Sequence, residues 1–250
     1  DSALVTDFIN SLAAMQIVQF KDAITEPDLP AYGLAAPAGE IILTPPTANG
    51  HGPTNAPILL SFGLAQEDKI FVRRSDEDSV YAVNIGDFQQ LPAEGWQLRE
   101  RRLWNFTEDD VVKLTVRQNG KVRELVRHTT NSWSFAAGSQ GMINEFAVEE
   151  TVHRFGELSA TVWTARSDEN RAQFGFGTNG LSLMFELKNG GKLDVEFGGV
   201  SQARYRFAAT ALEGQTWIFE FPFGYWKLKI GDCLEIVFLV IGNYEKHSLV

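Results

Sequence analysis

The feature that most constrains the fold of this chain is an internal repeat. Four apolar residues with helix-like spacing near the N-terminus are matched by four others 143 residues later. The matched pairs are Ile9 and Val152, Leu12 and Phe155, Met15 and Leu158, and Phe20 and Trp163. Two landmarks follow in the same order, Tyr32-Gly33-Leu34 with Phe174-Gly175-Phe176, and Phe62-Gly63 with Phe197-Gly198. Such a repeat predicts two similar structural units.

Each copy begins with an amphipathic helix. In the first copy, over residues 4–16, the apolar stripe consists of Leu4, Phe8, Leu12 and Met15. In the second copy, from about residue 143, it consists of Phe146, Val152, Phe155 and Leu158. Because these residues recur every three or four positions, they predict one buried helix face in each copy.

Strands follow each helix, as runs rich in Ile, Leu, Phe and Val indicate. In the first copy the runs are residues 40–44, 57–62, 69–74 and 79–84. In the second they are residues 181–187, 192–197, 204–208 and 216–221. The pattern predicts an α+β fold of two related units, each an amphipathic helix packed on an antiparallel β-sheet.

A hairpin separates the two copies. Apolar and polar residues alternate over residues 112–117, and Asn119-Gly120 suits a tight turn because both of its central residues need positive φ. A similar signal, 188–191, joins the first two strands of the second copy. We therefore divide the chain into a first repeat (1–97), a junction with the hairpin (98–142), and a second repeat with a C-terminal strand (143–250).

Composition limits the possible partners. The chain has 32 acidic and 22 basic residues, a net charge of −10 that opposes binding to nucleic acid. The single cysteine, Cys233, has no second thiol with which to form an internal disulfide or a metal site. No apolar run approaches the ~20 residues that span a bilayer. Helical periodicity begins almost at Asp1, which is expected if a signal peptide or anchor was removed, or if the chain was trimmed.

Several motifs resemble a bacterial domain-of-unknown-function family, numbered 4340. They are residues 98–104 (Leu-Arg-Glu-Arg-Arg-Leu-Trp), Asp109-Asp110-Val111, the hairpin with Trp133, Leu158-Ser159-Ala160, and residues 32–37 (Tyr-Gly-Leu-Ala-Ala-Pro). The resemblance covers most of the chain and implies an extracytoplasmic part of a membrane-anchored protein that accompanies transport systems of the ATP-binding-cassette type. It implies no catalytic residues.

The residues themselves indicate no catalytic or metal site. The histidines, at 51, 128, 153 and 247, are scattered, and no two share helical i, i+4 spacing. The acidic clusters at 76–78 and 108–110 lack the alternating spacing of a calcium loop, so solvated turns are the simpler interpretation. Gly175 and Gly177 form an incomplete phosphate-binding fingerprint. We therefore expect no enzymatic activity, no metal and no cofactor.

Two segments are candidate interaction surfaces. Arg99, Arg101 and Arg102 belong to the only locally basic stretch, which could face an acidic protein or lipid headgroups, or merely discourage edge pairing. The second segment contains the aromatic residues Trp217, Tyr225 and Trp226. Three interpretations are open: they pack in a core, they form a protein interface, or they form a platform for a ligand.

The function that these observations favour is a non-enzymatic extracytoplasmic interaction module with a protein partner, accessory to a membrane transport complex. Its location would be the periplasm or the cell surface, with membrane contact only through an N-terminal anchor outside this chain. A cytoplasmic location is the alternative. The alternative function is a glycan or small-ligand binding module that uses the C-terminal aromatic residues, and a hydrolase is a third possibility.

Overall fold

The computed structural model describes residues 1–44, 56–166, 169, 171–222, 225–229 and 235–239, the last two ranges for the backbone only. The chain forms two compact units, Asp1–Leu98 and Arg99–Val250. Helices and antiparallel sheets occur in both units, which confirms the predicted α+β class.

The first unit is one helix followed by a five-stranded antiparallel sheet. Its elements are α1 (Ser2–Ala14), β1 (Ile17–Lys21), a 3-10 helix (Glu26–Tyr32), β2 (Gly39–Leu43), β3 (Ile58–Gln66), β4 (Lys69–Arg74), β5 (Val80–Asn84) and α2 (Ile85–Gln89). A further 3-10 turn, Gly95–Leu98, ends the unit. The strand order is β1-β5-β4-β3-β2, so β1 and β2 form the two edges.

Helix α1 begins at a side-chain cap and lies on one face of the sheet. The Asp1 carboxylate accepts hydrogen bonds from the amides of Ala3 and Leu4 at 3.0 and 3.3 Å. The predicted stripe Leu4, Phe8, Leu12 and Met15 is half-buried, and the polar side of the helix is exposed. Yet α1 contains no fully buried residue. The helix therefore faces the sheet as predicted without closing over it.

The first sheet has an apolar cluster on each face. On the helix side, Phe62, Ile70, Val72 and Val83 are buried, with Leu12 and Met15 packed against them. On the opposite side, the buried residues are Leu29, Leu34, Phe71, Val80 and Ala82. The strands alternate between these clusters because successive side chains point to opposite faces.

The second unit has an eight-stranded antiparallel sheet. Its first elements are a 3-10 turn (Glu108–Asp110), β6 (Val111–Gln118), β7 (Lys121–Thr129), β8 (Ser132–Phe135) and α3 (Glu145–Gly156). There follow β9 (Trp163–Ala165), a 3-10 helix (Arg171–Phe174), β10 (Ser182–Leu187), β11 (Lys192–Val200), β12 (Arg206–Leu212) and β13 (Gln215–Phe221). The strand order is β8-β7-β6-β10-β11-β12-β13-β9. Strands β14 (Tyr225–Lys229) and β15 (Glu235–Leu239) pair with each other.

Aromatic residues fill the helix side of this second sheet. Phe155 of α3 is fully buried, and its ring centroid lies 5.0 Å from that of Phe185 and 5.7 Å from that of Phe221. Trp104 stacks on Phe155 at 6.1 Å. Helix α3 buries five residues: Val148, Thr151, Val152, Phe155 and Gly156. The predicted stripe was wrong for Phe146, which is exposed because it lies in the first turn on the solvent side of α3.

The strand order of the first sheet recurs inside the second. The order β1-β5-β4-β3-β2 corresponds element by element to β9-β13-β12-β11-β10, and strands β6 to β8 extend the second sheet beyond β10. The hairpin of the predicted junction therefore belongs to the sheet of the second unit. This recurrence supports the hypothesis that the two units are related.

Matching glycines make the same close contact in both units. A Cβ added at Gly63 would collide with the carbonyl oxygen of Tyr32, and one added at Gly198 with that of Phe174. In both units the pairing register shifts just after the Phe-Gly dipeptide, a β-bulge at the same place. The sequence landmarks thus mark a turn packed against a bulged strand.

Candidate functional site

The predicted arginine segment lies along the second unit. The amide of Leu103 donates to the carbonyl of Leu158, and the amide of Ala160 donates to the carbonyl of Arg101, each at 2.8 Å. Arg102 also forms an isolated β-bridge with Ser159. Residues 99–104 thus pair with the chain that follows α3.

Arg99 and Trp217, which we predicted as two separate surfaces, lie in contact. The Arg99 guanidinium lies 4.2 Å from the centre of the Trp217 ring and forms an ion pair with Glu213 at 3.2 Å. Trp163 flanks the same guanidinium at 5.5 Å. Because Trp217 is buried in this cluster, its contacts stabilise the second unit and leave no open face for a sugar.

Arg102 binds backbone near the end of α3. Its Nε donates to the carbonyl of Trp104 at 3.0 Å, and its Nη2 donates to the Asn105 side chain at 3.2 Å and to the carbonyl of Gly156 at 3.5 Å. A guanidinium at the last carbonyls of a helix complements the helix dipole. The backbone of Tyr225 and Trp226 lies in β14, but their side chains lie outside the described residues.

The acidic clusters form local caps and ion pairs. In the first, Arg74 binds Asp76 through two hydrogen bonds of 3.1 and 2.9 Å, which lower the pKa of Asp76. In the second, the amide and hydroxyl of Thr107 donate to Asp110 and hold its pKa below the ordinary value. Within the part of the chain that the structure describes, no group of three or more His, Cys, Asp and Glu side chains could hold a metal.

An apolar groove lies between α1 and the first sheet. Its volume is about 530 Å³. The residues that line it from α1 and its C-terminal end, and from strands β2 and β3, include Ile9, Leu12, Met15, Leu43, Ile58 and Leu60. The groove exists because α1 buries no residue completely, whereas α3 buries five. The first unit therefore presents an open apolar surface where the second has a filled core.

Charged and polar groups at one side of this groove bind one another. Besides Asp76, Arg74 forms an ion pair with Glu77 at 3.1 Å, and the Tyr81 hydroxyl donates a hydrogen bond to Glu77. The bond to Asp76 raises the pKa of Arg74, and the bond to Glu77 raises the pKa of Tyr81. Because these charged and polar groups already bind one another, the rest of the groove offers mainly apolar contacts.

The repeat shows what fills the equivalent space in the second unit. Phe62 and Phe197 are matching residues of the repeat. Phe62 pairs with Gly39, and the amide of Phe197 donates to the carbonyl of Leu181 at 2.9 Å, so Gly39 corresponds to Leu181. Counting along the strands, Ile41 corresponds to Leu183 and Leu43 to Phe185. In the second unit, Leu183 and Phe185 pair with Val116 and Leu114 of β6, and all four are buried.

A second cavity, of about 480 Å³, is polar and lies within the second unit. Arg117, Arg171, Thr178, Ser182 and Glu196 contribute to its lining. Arg171 forms an ion pair with Glu196 and lies 4.9 Å from the ring centre of Phe176. Gly177, one of the two glycines of the incomplete phosphate-binding motif, borders this cavity together with Gly180.

A family model described as a domain of unknown function, DUF4340, matches residues 1–145, more than half of the chain. The chain belongs to the DUF4340 family. The matched part of this DUF4340 protein contains the apolar groove and strands β6 to β8, whereas most residues of the polar cavity lie beyond it. No curated protein and no solved structure matches the chain. No helix in the described ranges has the length and apolar character needed to span a membrane.

Sequence reasoning missed both cavities of the DUF4340 chain. The apolar groove had one visible signal, because Leu12 stands where the repeat has the larger Phe155. The polar cavity had only the weak signal of Gly177, because it depends on β6 pairing with β10, which brings Arg117 opposite Ser182.

Proposed function

We propose that this protein is a non-enzymatic interaction module that binds a partner polypeptide through the apolar groove of its N-terminal unit. The observation that carries the proposal is the open face between α1 and the first sheet. Helix α3 has Val152 fully buried, but at the matching position of α1 Ile9 is 43% exposed. Contiguous exposed apolar surface of this kind marks interaction sites in soluble proteins.

The size of the groove suits a few apolar side chains of a polypeptide. Complete burial of one aliphatic side chain contributes about 1.5–3 kcal/mol. Two or three such side chains contribute about 3–9 kcal/mol, which is comparable to the ~4–15 kcal/mol that association costs. We therefore expect weak, reversible binding that also depends on backbone hydrogen bonds.

The location and the larger assembly rest on family resemblance. We infer an extracytoplasmic role as an accessory to a membrane transport complex, because the family motifs at residues 98–104 and 32–37 resemble such proteins. Fractionation of cells that express the protein with its native upstream sequence would test this. Recovery only in the cytosolic fraction would contradict the extracytoplasmic assignment.

A matched pair of helix substitutions tests the groove. The probe is a fluorescein-labelled synthetic peptide with the sequence of residues 109–129, chosen because it contains β6, which fills the equivalent space in the second unit. Its binding to the full chain is measured by fluorescence anisotropy. Ile9 and Val5 are each 43% exposed on α1, but only Ile9 lines the groove. We expect Ile9→Glu to weaken binding at least about tenfold, because it places a charge against apolar side chains.

Val5→Glu is the control, and it should bind the peptide like the wild-type chain. Circular dichroism and thermal unfolding verify that both variants fold. Equal affinities for the Ile9→Glu and Val5→Glu variants would show that the groove is not the binding surface.

The polar cavity favours a second candidate, a binding site for a small acidic ligand. Arg117 lies on its wall with Thr178 and Ser182, and Arg171 lies beside them in its ion pair with Glu196, a set that suits a carboxylate or an acidic sugar. Calorimetric titration with neutral and acidic monosaccharides should show binding of acidic members only, reduced by Arg117→Ala. The absence of binding heat across the whole panel would reject this candidate.

A further inference from the structure

We propose that the partner segment enters the N-terminal unit as an antiparallel β-strand beside β2. This inference rests on the proposed function and names how that partner binds. The partner is an extended segment of another protein in which apolar residues alternate with basic ones. Its apolar side chains fill the groove, and its backbone pairs with the outer edge of β2.

The outer edge of β2 has backbone groups that point away from the sheet. In β3, the amide of Leu59 donates to the hydroxyl of Ser75 at 3.0 Å, and the carbonyl of Leu59 accepts from the amide of Ser75 at 2.9 Å. Because antiparallel strands alternate the direction of their polar groups, those of Leu60 point to Ile41 of β2. The amides and carbonyls of Glu40 and Ile42 therefore point outward. Within the described ranges, no strand pairs with β2 on that side.

In the second unit, a strand of the same chain occupies the position that we propose for the partner strand. Its strand β10, which corresponds to β2, pairs on the equivalent side with β6. Leu114 of β6 lies opposite Phe185 and is fully buried on the side of α3. A strand added to β2 in the same register would place an apolar residue opposite Leu43, which lines the groove. A single added strand would therefore both pair with β2 and place apolar side chains in the groove.

Charge favours a basic partner strand. The first unit has 13 acidic and four basic residues, a net charge of −9, whereas the second has 19 acidic and 18 basic, a net charge of −1. Counting from Gly39 and Leu181, Glu40 corresponds to Ser182, which pairs with Arg117 of β6. A basic residue at the position of Arg117 would face the exposed carboxylate of Glu40, and opposite charges on paired residues stabilise a sheet.

Two substitutions of Ile42 test the strand without changing the groove. Ile42 is 68% exposed and does not line the groove. Ile42→Pro removes the outward amide and obstructs pairing, and edge strands tolerate proline where the amide faces solvent. Ile42→Ala keeps the amide. We expect Ile42→Pro to weaken binding of the 109–129 peptide to the full chain at least about tenfold, and Ile42→Ala to stay within about threefold of wild type.

Hydrogen exchange provides an independent measurement. Adding the peptide should slow exchange of the Glu40 and Ile42 amides in the wild-type chain. Slow exchange of these amides before the peptide is added would show that the edge is already paired, which would overturn the inference.

The outcomes separate this inference from the proposed function. Binding that is lost in Ile9→Glu but unchanged in Ile42→Pro would keep the groove and reject the strand. Binding unaffected by either variant, or no binding up to about 1 mM peptide, would reject both. Self-association of the chain, seen by sedimentation and lost in Ile42→Pro, would identify a second copy as the occupant and overturn the proposed partner.

Discussion

The buried ion pair between Arg127 and Glu149 permits a quantitative prediction for the second unit. Arg127 of β7 and Glu149 of α3 are only 6% and 14% exposed, and Nη1 lies 2.8 Å from Oε1. The other carboxylate oxygen of Glu149 accepts a hydrogen bond from the indole of Trp133 at 2.9 Å. The perturbation is Glu149→Gln, which keeps the shape of the side chain and removes its charge.

The expected loss is large because Arg127 would stay charged and buried. Its remaining contacts are the carbonyl of Val111 at 2.9 Å and the face of Trp133 at 4.5 Å. Two unit charges at 4 Å attract by about 4 kcal/mol at an effective dielectric constant of about 20. Removal of one partner from a buried pair costs about 3–5 kcal/mol, a substantial part of the ~5–15 kcal/mol that stabilises a domain. We therefore expect Glu149→Gln to lower the free energy of unfolding by about 3–5 kcal/mol.

Urea unfolding followed by tryptophan fluorescence measures this loss, since five of the six tryptophans belong to the second unit. The control is Glu124→Gln. Glu124 binds Lys113 at the same distance, 2.8 Å, but these side chains are 36% and 28% exposed. The control should lose less than about 1 kcal/mol, because water screens the pair. Equal losses in the two variants would refute the argument that burial, rather than distance, sets the energy of these pairs.

Two further predictions concern the repeat landmarks and pH. Gly63→Ala and Gly198→Ala should each lower the free energy of unfolding by about 1–3 kcal/mol because a Cβ has no space there, whereas Gly39→Ala, with nothing within 4 Å, should have little effect in the same urea assay. Comparable stabilities of all three variants would contradict the proposed close approach. Asp110 has a pKa below its ordinary value of 3.8, so its contribution to stability is present above that value and is lost as the pH falls through the lower, folded-state pKa. Thr107→Val should raise this pKa in a carboxyl ¹³C NMR titration, and an unchanged value would show that the hydroxyl does not lower it.

Most helices and strands could be predicted from short sequence patterns, because neighbouring residues determine these elements. Asn119 and Gly120 adopt φ values of 51° and 74°, which confirms the predicted hairpin. The strand predicted at 69–74 has the observed bounds of β4. Such signals are readable because turn conformation and side-chain alternation depend on neighbouring residues.

Features that depend on distant partners could not be predicted in this way. Strands β1 and β9 were missed because each pairs only with a strand far away in the sequence, β5 and β13 respectively, and β9 has only three residues. The contact between Arg99 and Trp217 joins residues 118 positions apart. The sequence identified both as candidates for interaction, yet only the fold shows that they bind each other.

The difference between the two units locates the candidate interaction in the first one. Both units share a strand order and a glycine contact, and these features account for the landmarks that the two copies of the repeat share, without any ligand. Shared geometry alone cannot explain why Val152 is buried and Ile9 is not. In the second unit, β6 supplies the apolar residues that complete the core beside β10. An equivalent strand beside β2 would complete the first unit by the same packing, so one partner segment would both fill the groove and pair with the edge of β2 that no strand within the described residues occupies.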